Sequence, residues 1–191
     1  IIKNINENIY LSYSFCKSAP NSDNRHEEKI HDWRKKTLLG RNSIPVSGLI
    51  NSVCQKRNNS YEKDKNSLAG KILRVTDDGS PAPGNPFNNL VFSYGHRNPQ
   101  GIAWEASGKL WEVEHGQSAT DEINLIEPGK NYGWPIIRGG ETQSGMENPI
   151  LQSGNDTWAP GGAALYNGSL FFGGLRGTAL FEYKINSKEL K

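Results

Sequence analysis

Short apolar runs separated by turn residues recur along much of this chain, and their spacing constrains the fold more than any other feature of the sequence. Each run is only four to eight residues long, which is typical of β-strands and too short for most buried helices. The runs are residues 8–15, 71–75, 90–94, 109–113, 121–126, 163–166, 170–173 and 178–185. Glycine and proline, which lie mostly between the runs, make up about a sixth of the chain. The pattern predicts an all-β fold: a sandwich, a barrel or a propeller.

Two places carry the clearest strand signals. Residues 178–185 alternate, with Leu180 and Glu182 on one side and Phe181 and Tyr183 on the other, as in a half-buried strand. The runs 163–166 and 170–173 flank the pair Asn167-Gly168. Both residues of such a pair tolerate positive φ, so the sequence predicts a β-hairpin here.

Residues 18–63 break the pattern, because they are rich in Asn, Lys and Arg and show little alternation. We interpret them as an irregular N-terminal insert. Residues 25–39 are compatible with a short helix, and a loop is the competing interpretation. Cys16 and Cys54 are the two cysteines, and their spacing defines neither a zinc site nor a disulfide framework, so their state is left open.

Charge and hydropathy exclude several classes of function. The formal net charge is only +2, which gives no field for a nucleic-acid partner. No apolar run reaches the length of a membrane span. The first residues lack the features of a signal peptide, and the chain is expected to begin inside a larger protein.

Two loops hold residue types that are suited to binding a ligand. Residues 94–101 include Arg97, Asn98 and Gln100; a guanidinium offers a planar set of donors for carboxylate or quinone oxygens. Residues 114–122 follow a strand and supply carboxylates and exposed carbonyls, the hard oxygen ligands that Ca²⁺ uses. The alternatives are a polar turn that satisfies its own backbone and an acidic loop that faces water.

Motifs from residue 68 onward resemble, in order, those of the glucose/sorbosone dehydrogenase family. The matching pieces are residues 68–75, 78–79, 85–87, 94–101, 108–111, 114–116, 121–124, 131–135, 158–162 and 175–177. The resemblance implies a six-bladed β-propeller that binds pyrroloquinoline quinone (PQQ) and Ca²⁺. We expect an incomplete propeller of about three to four blades, forming a single partial domain over residues 1–191. Within it, residues 18–63 are divergent and residues 64–185 are well-matched blades.

The resemblance also implies roles for individual residues at the cofactor. Arg97 and Asn98 are expected to contact the quinone oxygens of PQQ, with Gln100 in the same segment. Arg176 matches a cationic residue that binds the cofactor.

The metal and the general base are assigned in the same way. The carbonyls of Gly116 and Gln117 are expected to hold Ca²⁺, and Tyr132 lies in a loop that carries a second, structural Ca²⁺ in some members. His31 is the candidate general base, although the glycines expected around it are missing.

The implied reaction is oxidation of the C1 hydroxyl of an aldose sugar to the lactone by hydride transfer to the quinone. The family further implies an external electron acceptor, a periplasmic or extracellular location and a possible homodimer of the complete protein. Two alternatives stay open: a non-catalytic propeller remnant or binding module, and a calcium-dependent propeller lactonase. A lactonase is disfavoured because it does not need the Arg-Asn pair.

Overall fold

The computed structural model describes the backbone of two strands, Ser14–Phe15 and Leu49–Val53, and then residues 65–76 and 78–191. The described residues form strands and turns without a helix, so the predicted all-β class is confirmed. No helix in this part of the chain is long and apolar enough to cross a membrane. The strands are β1 (Ser14–Phe15), β2 (Leu49–Val53), β3 (Lys71–Val75), β4 (Val91–Tyr94), β5 (Pro99–Trp104), β6 (Leu110–Glu114), β7 (Glu122–Ile126), β8 (Leu151–Gln152), β9 (Pro160–Tyr166), β10 (Ser169–Gly174), β11 (Ala179–Lys184) and β12 (Glu189–Leu190).

These strands make three four-stranded sheets, each built from consecutive segments of the chain. The sheets are β1 to β4, β5 to β8 and β9 to β12. All pairs within them are antiparallel except the parallel pair of β1 and β2. Successive four-stranded sheets of this kind are typical of the blades of a propeller. The described residues therefore form three blades, in agreement with the expected incomplete propeller.

Local sequence explains why the third blade forms. Asn167 and Gly168 have φ angles of 47° and 78° and join β9 to β10, which confirms the predicted hairpin. Tyr183 in β11 is 1% exposed while Leu180 is 71% exposed, which confirms the alternation read from the sequence.

Two apolar clusters lie in the described part of the molecule. The first includes Trp111, Val113, Leu170, Phe172 and Tyr183, and it joins the second and third blades. The second contains Ile72, Leu110, Ile126 and Tyr132 and joins the first blade to the second. The central blade is therefore covered on both faces.

Glycine permits the innermost strands of the second and third blades to approach closely. A Cβ placed on Gly101 in β5 would lie 2.5 Å from the backbone nitrogen of Ala163 in β9. Any side chain at this position would push the two blades apart.

The segment of residues 18–63 is only partly described. Strand β2 lies inside it and pairs with β3, so this part of the segment contributes to the first blade. The candidate helix at residues 25–39, Cys16 and Cys54 lie outside the described residues, as does most of the candidate strand 8–15. The division into a divergent segment and the matched blades 64–185 stays a prediction.

Candidate functional site

The two candidate ligand-binding loops meet at one end of the central blade. Strand β5 begins at Pro99, which pairs with Glu114 at the end of β6, and Glu114 pairs with Glu122 at the start of β7. The segments that precede β5 and follow β6 therefore emerge side by side. A pocket opens between them; its lining residues are Arg97, Glu114, His115, Gly116, Gln117, Thr120, Glu122, Tyr132, Trp134, Ile137 and Arg138.

A buried carboxylate fixes the backbone of the loop before β5. Glu114 Oε2 accepts hydrogen bonds from the backbone N–H of Arg97 at 2.8 Å and of Asn98 at 2.9 Å. The N–H of His115 in turn donates to the carbonyl of Asn98 at 3.1 Å. Because one carboxylate oxygen accepts both N–H groups, Glu114 holds the backbone of the two predicted cofactor residues in one conformation.

The side chains of this loop are also oriented. One Arg97 guanidinium nitrogen donates to the carbonyl of His115 at 2.8 Å, and the Arg97 Cζ lies 5.4 Å from the centre of the Trp134 ring. Gln100 Nε2 donates to Asn98 Oδ1 at 2.8 Å, which turns the Asn98 amide so that its N–H₂ group remains a donor. A guanidinium held by a carbonyl and an aromatic face keeps further N–H groups for an anionic or quinone ligand.

The loop after β6 is clamped by Asp121, which is 1% exposed. Its Oδ1 accepts the N–H of Gly116 at 2.9 Å, and its Oδ2 accepts those of Trp158 at 2.7 Å and Ala159 at 2.8 Å. The same carboxylate thus ties the loop to the third blade. Between these anchors, three successive residues take left-handed conformations: Ser118, Ala119 and Thr120, with φ angles of 58°, 81° and 57°.

The oxygens of this loop fit the expected Ca²⁺. Among residues 65–76 and 78–191, no hydrogen bond uses the carbonyl oxygen of Gly116 or Gln117. Carbonyls left without donors in a fixed loop are suitable ligands for a hard cation. A Cβ on Gly116 would overlap the carbonyl of Thr120, so this tight turn needs glycine. Both predicted metal residues line the pocket beside Arg97.

Tyr132 lines the same pocket, but its side chain is engaged elsewhere. Its hydroxyl donates to the carbonyl of Leu125 at 2.6 Å and accepts from the N–H of Glu127 at 2.9 Å. Its ring stacks on His96 with centroids 4.6 Å apart, and burial raises the pKa of the phenol well above its usual range. A metal at this position would therefore contact the backbone of Tyr132, and its phenol serves packing.

Arg176 lies outside this pocket. It is exposed in the turn between β10 and β11, where Gly174 pairs with both Ala179 and Pro160. His115 Nε2 lies 2.8 Å from the Pro160 carbonyl, so this turn is at the same end of the blades as Arg97. His31, the candidate base, lies outside the described residues.

The sequence analysis placed Glu114 and Glu122 in an acidic loop, but it missed Glu112 and the position of all three carboxylates side by side around Asn124. Glu112 and Glu114 are 0% and 2% exposed, and Asn124 Nδ2 lies within 3.4 Å of a carboxylate oxygen from each of them and from Glu122. Burial, followed by the charge of Glu114, raises the pKa of Glu112 well above its usual range and that of Glu122 to about 8. The available signal was the spacing Glu112-x-Glu114, which places both carboxylates on one face of β6.

Propeller blades that bring an oriented Arg-Asn pair and a carbonyl-lined loop together at one end define a ligand-binding propeller. Residues 44–190 match the glucose/sorbosone dehydrogenase family. The chain belongs to this family, which confirms the resemblance seen in the sequence.

Curated relatives and solved structures agree with this assignment. The chain is 48% identical over 87 residues to quinoprotein glucose dehydrogenase B of Acinetobacter calcoaceticus, covering 44% of this chain and 18% of that protein. It is 38% identical over 129 residues to aldose sugar dehydrogenase YliI of Escherichia coli, covering 57% of this chain and 34% of that protein. The PQQ-bound form of an aldose sugar dehydrogenase from Streptomyces coelicolor superposes with a TM-score of 0.69 at 39% identity, covering 75% of this chain and 47% of that one. The chain thus spans less than half the length of these relatives.

Proposed function

We propose that this chain carries the cofactor-binding part of a PQQ- and Ca²⁺-dependent dehydrogenase that oxidises the C1 hydroxyl of an aldose to the lactone. The observation that carries this proposal is that Glu114 holds the backbone of Arg97 and Asn98 next to a loop whose Gly116 and Gln117 carbonyls accept no hydrogen bond from the described residues. The relatives support it: one is named a quinoprotein glucose dehydrogenase, and another was solved with PQQ bound.

Bound PQQ would supply the hydride acceptor and Ca²⁺ would withdraw charge from it. Arg97 and Asn98 would donate hydrogen bonds to the quinone oxygens, because Arg97 lines the pocket with further N–H groups and the Asn98 amide keeps its N–H₂ group as a donor beside it. Gln100 would act by holding the amide of Asn98 in place. The carbonyls of Gly116 and Gln117, which line the same pocket as Arg97, would hold the Ca²⁺.

The remaining assignments are proposals that rest on the family. Arg176 would add a cationic contact from the third blade, the Tyr132 loop would carry a structural Ca²⁺, and His31 would take the proton from the sugar hydroxyl. An external acceptor would reoxidise the cofactor, in the periplasm or outside the cell, and the complete protein would form a homodimer.

The experiment is aldose-dependent reduction of a dye by the metal-free chain after addition of PQQ and Ca²⁺. We expect glucose or another aldose to reduce the dye, and Arg97→Ala to weaken apparent PQQ affinity by about tenfold or more, since charge-assisted hydrogen bonds contribute about 1.5–3 kcal/mol. Lys109→Ala removes the same charge from an exposed turn at the other end of β6 and serves as the control.

Two outcomes would count against the proposal. Equal PQQ affinity of the Arg97→Ala and unsubstituted chains would remove Arg97 from the site. PQQ binding without dye reduction by any aldose would favour the binding-module alternative for this chain.

A further inference from the structure

A closed cluster of polar side chains lies behind the loop that contains Arg97 and Asn98. His96 comes from the connection between β4 and β5, and Glu112 and Glu114 come from one face of β6. The three residues are 0%, 0% and 2% exposed. One nitrogen or oxygen atom from each lies within 4.8 Å of the corresponding atoms of the other two.

Two atoms of this cluster, His96 Nδ1 and Glu112 Oε1, are buried and have no hydrogen-bond partner within the part of the chain that the structure describes. His96 Nδ1 lies 3.7 Å from Glu114 Oε1, which is too long for a hydrogen bond. Buried polar atoms are nearly always paired, so two unpaired atoms in one cluster of ligand-type side chains point to a cation as their partner.

The surroundings of His96 orient its ring as they do in metal sites. Its Nε2 lies 2.8 Å from Ser93 Oγ, and its face stacks on Tyr132. A histidine ligand commonly donates its second ring N–H to a neighbour, which leaves the other nitrogen as a lone pair for the metal. With Ser93 as that neighbour, the Nδ1 lone pair would face the carboxylate of Glu114, an arrangement that repels unless a cation lies between them.

We propose that His96, Glu112 and Glu114 bind one divalent transition-metal cation, of the Zn²⁺ or Mn²⁺ type. One imidazole nitrogen and two carboxylates are ligands that these cations accept, whereas Ca²⁺ prefers a shell of oxygens only. Two carboxylate charges also balance a divalent cation. Bonds of about 2.1 Å place ligand atoms no more than about 4.2 Å apart, so the three side chains need to close around the cation by about an ångström.

This site is separate from the Ca²⁺ proposed at Gly116 and Gln117, and it does not require PQQ. It is connected to the cofactor loop through Glu114, because Oε2 of that residue already holds the backbone of Arg97 and Asn98.

The test is a titration of the chelator-treated chain, prepared without a polyhistidine tag, with ZnCl₂ or MnCl₂ alone. We expect one equivalent to bind in isothermal titration calorimetry, and the thermal midpoint of unfolding to rise by several degrees as the cation saturates the site. Glu112→Gln keeps the shape of the side chain but removes the charge, and we expect it to weaken binding at least tenfold. Glu127→Gln removes an exposed carboxylate and should bind as the unsubstituted chain does.

Circular dichroism of the Glu112→Gln chain should show the same strand content as the unsubstituted chain, so that lost binding is not lost folding. Arg97→Ala should retain cation binding, which keeps this test independent of the proposed dehydrogenase function. Absence of Zn²⁺ and Mn²⁺ binding overturns the proposal, as does equal binding by the Glu112→Gln and unsubstituted chains. Tighter binding of CaCl₂ than of either transition metal at this cluster overturns the assigned class of cation.

Discussion

Glu114 lies where the two loops of the candidate site meet: it ends the strand before the second loop, and its side chain holds the backbone of the first. It ends β6, and its Oε2 holds the backbone of Arg97 and Asn98 while its Oε1 faces His96. Single residues of this kind are hard to assign from sequence, because a glutamate at a strand end is usually exposed. Arg97 and Asn98 were found by motif and chemistry, whereas Glu114 was recognised only as part of an acidic loop, and its contact with their backbone became evident when β5 and β6 were paired.

Asp121 provides a residue-scale prediction, since one carboxylate accepts three backbone N–H groups while 1% exposed. In Asp121→Asn, an amide nitrogen replaces an acceptor and leaves backbone donors buried without partners. We expect the free energy of unfolding to fall by about 2–4 kcal/mol in urea denaturation. Asp156→Asn, at an exposed position, should change it by less than about 0.5 kcal/mol. Equal free energies of unfolding for the two variants would show that the hydrogen bonds of Asp121 do not stabilise the fold.

At the scale of elements, the turn between β9 and β10 tests whether the positive φ of Gly168 requires glycine. Gly168 has a φ of 78°, and no atom lies within 4 Å of the position that a Cβ would take, so substitution there meets only backbone strain. We expect Gly168→Ala to lower the free energy of unfolding by about 1–2 kcal/mol. Gly162 in β9 also has no atom within 4 Å of a Cβ position, but its φ is ordinary. Gly162→Ala should therefore leave the free energy of unfolding unchanged or slightly higher. A larger loss of stability in Gly162→Ala than in Gly168→Ala would contradict this explanation of the turn.

Strand β6 could be predicted from the sequence, but its burial on both faces could not. The sequence showed it as the short apolar run 109–113, and the strand is observed at Leu110–Glu114. A strand of an antiparallel sheet commonly has one face in the core and one in water, but all five residues of β6 are buried. Trp111 and Val113 face the third blade, while Leu110 shares its face with Glu112 and packs towards the first blade. Burial on both sides is a property of neighbouring blades and is not encoded within the strand.

At the scale of the whole molecule, cohesion between blades comes from side chains that meet across two sheets. Leu170 in β10 is fully buried in the cluster shared with β6, whereas Leu180 in the adjacent strand is 71% exposed. We expect Leu170→Ala to lower the free energy of unfolding by about 2–5 kcal/mol, and Leu180→Ala to change it by less than about 0.5 kcal/mol. Chemical denaturation of the two variants measures both values. Similar losses would mean that the two blades are not packed as described.

The number and order of blades could be anticipated because family motifs recur in order along residues 68–177. The position of Arg176 relative to the site could not be anticipated, because it depends on how the third blade packs against the second. The structure places its turn at the same end of the blades as Arg97 but outside the pocket that Arg97 lines.

The central claim is that this chain builds a PQQ-binding surface from Arg97, Asn98 and the loop after β6. An absorbance titration of the chain with PQQ, with Ca²⁺ present and then with the metal chelated, tests it most directly. We predict a saturable shift of the PQQ spectrum at one equivalent that weakens when Ca²⁺ is removed and when Arg97 is replaced by alanine. A PQQ spectrum that stays unchanged at every protein concentration, with Ca²⁺ present and the chain folded, would contradict it.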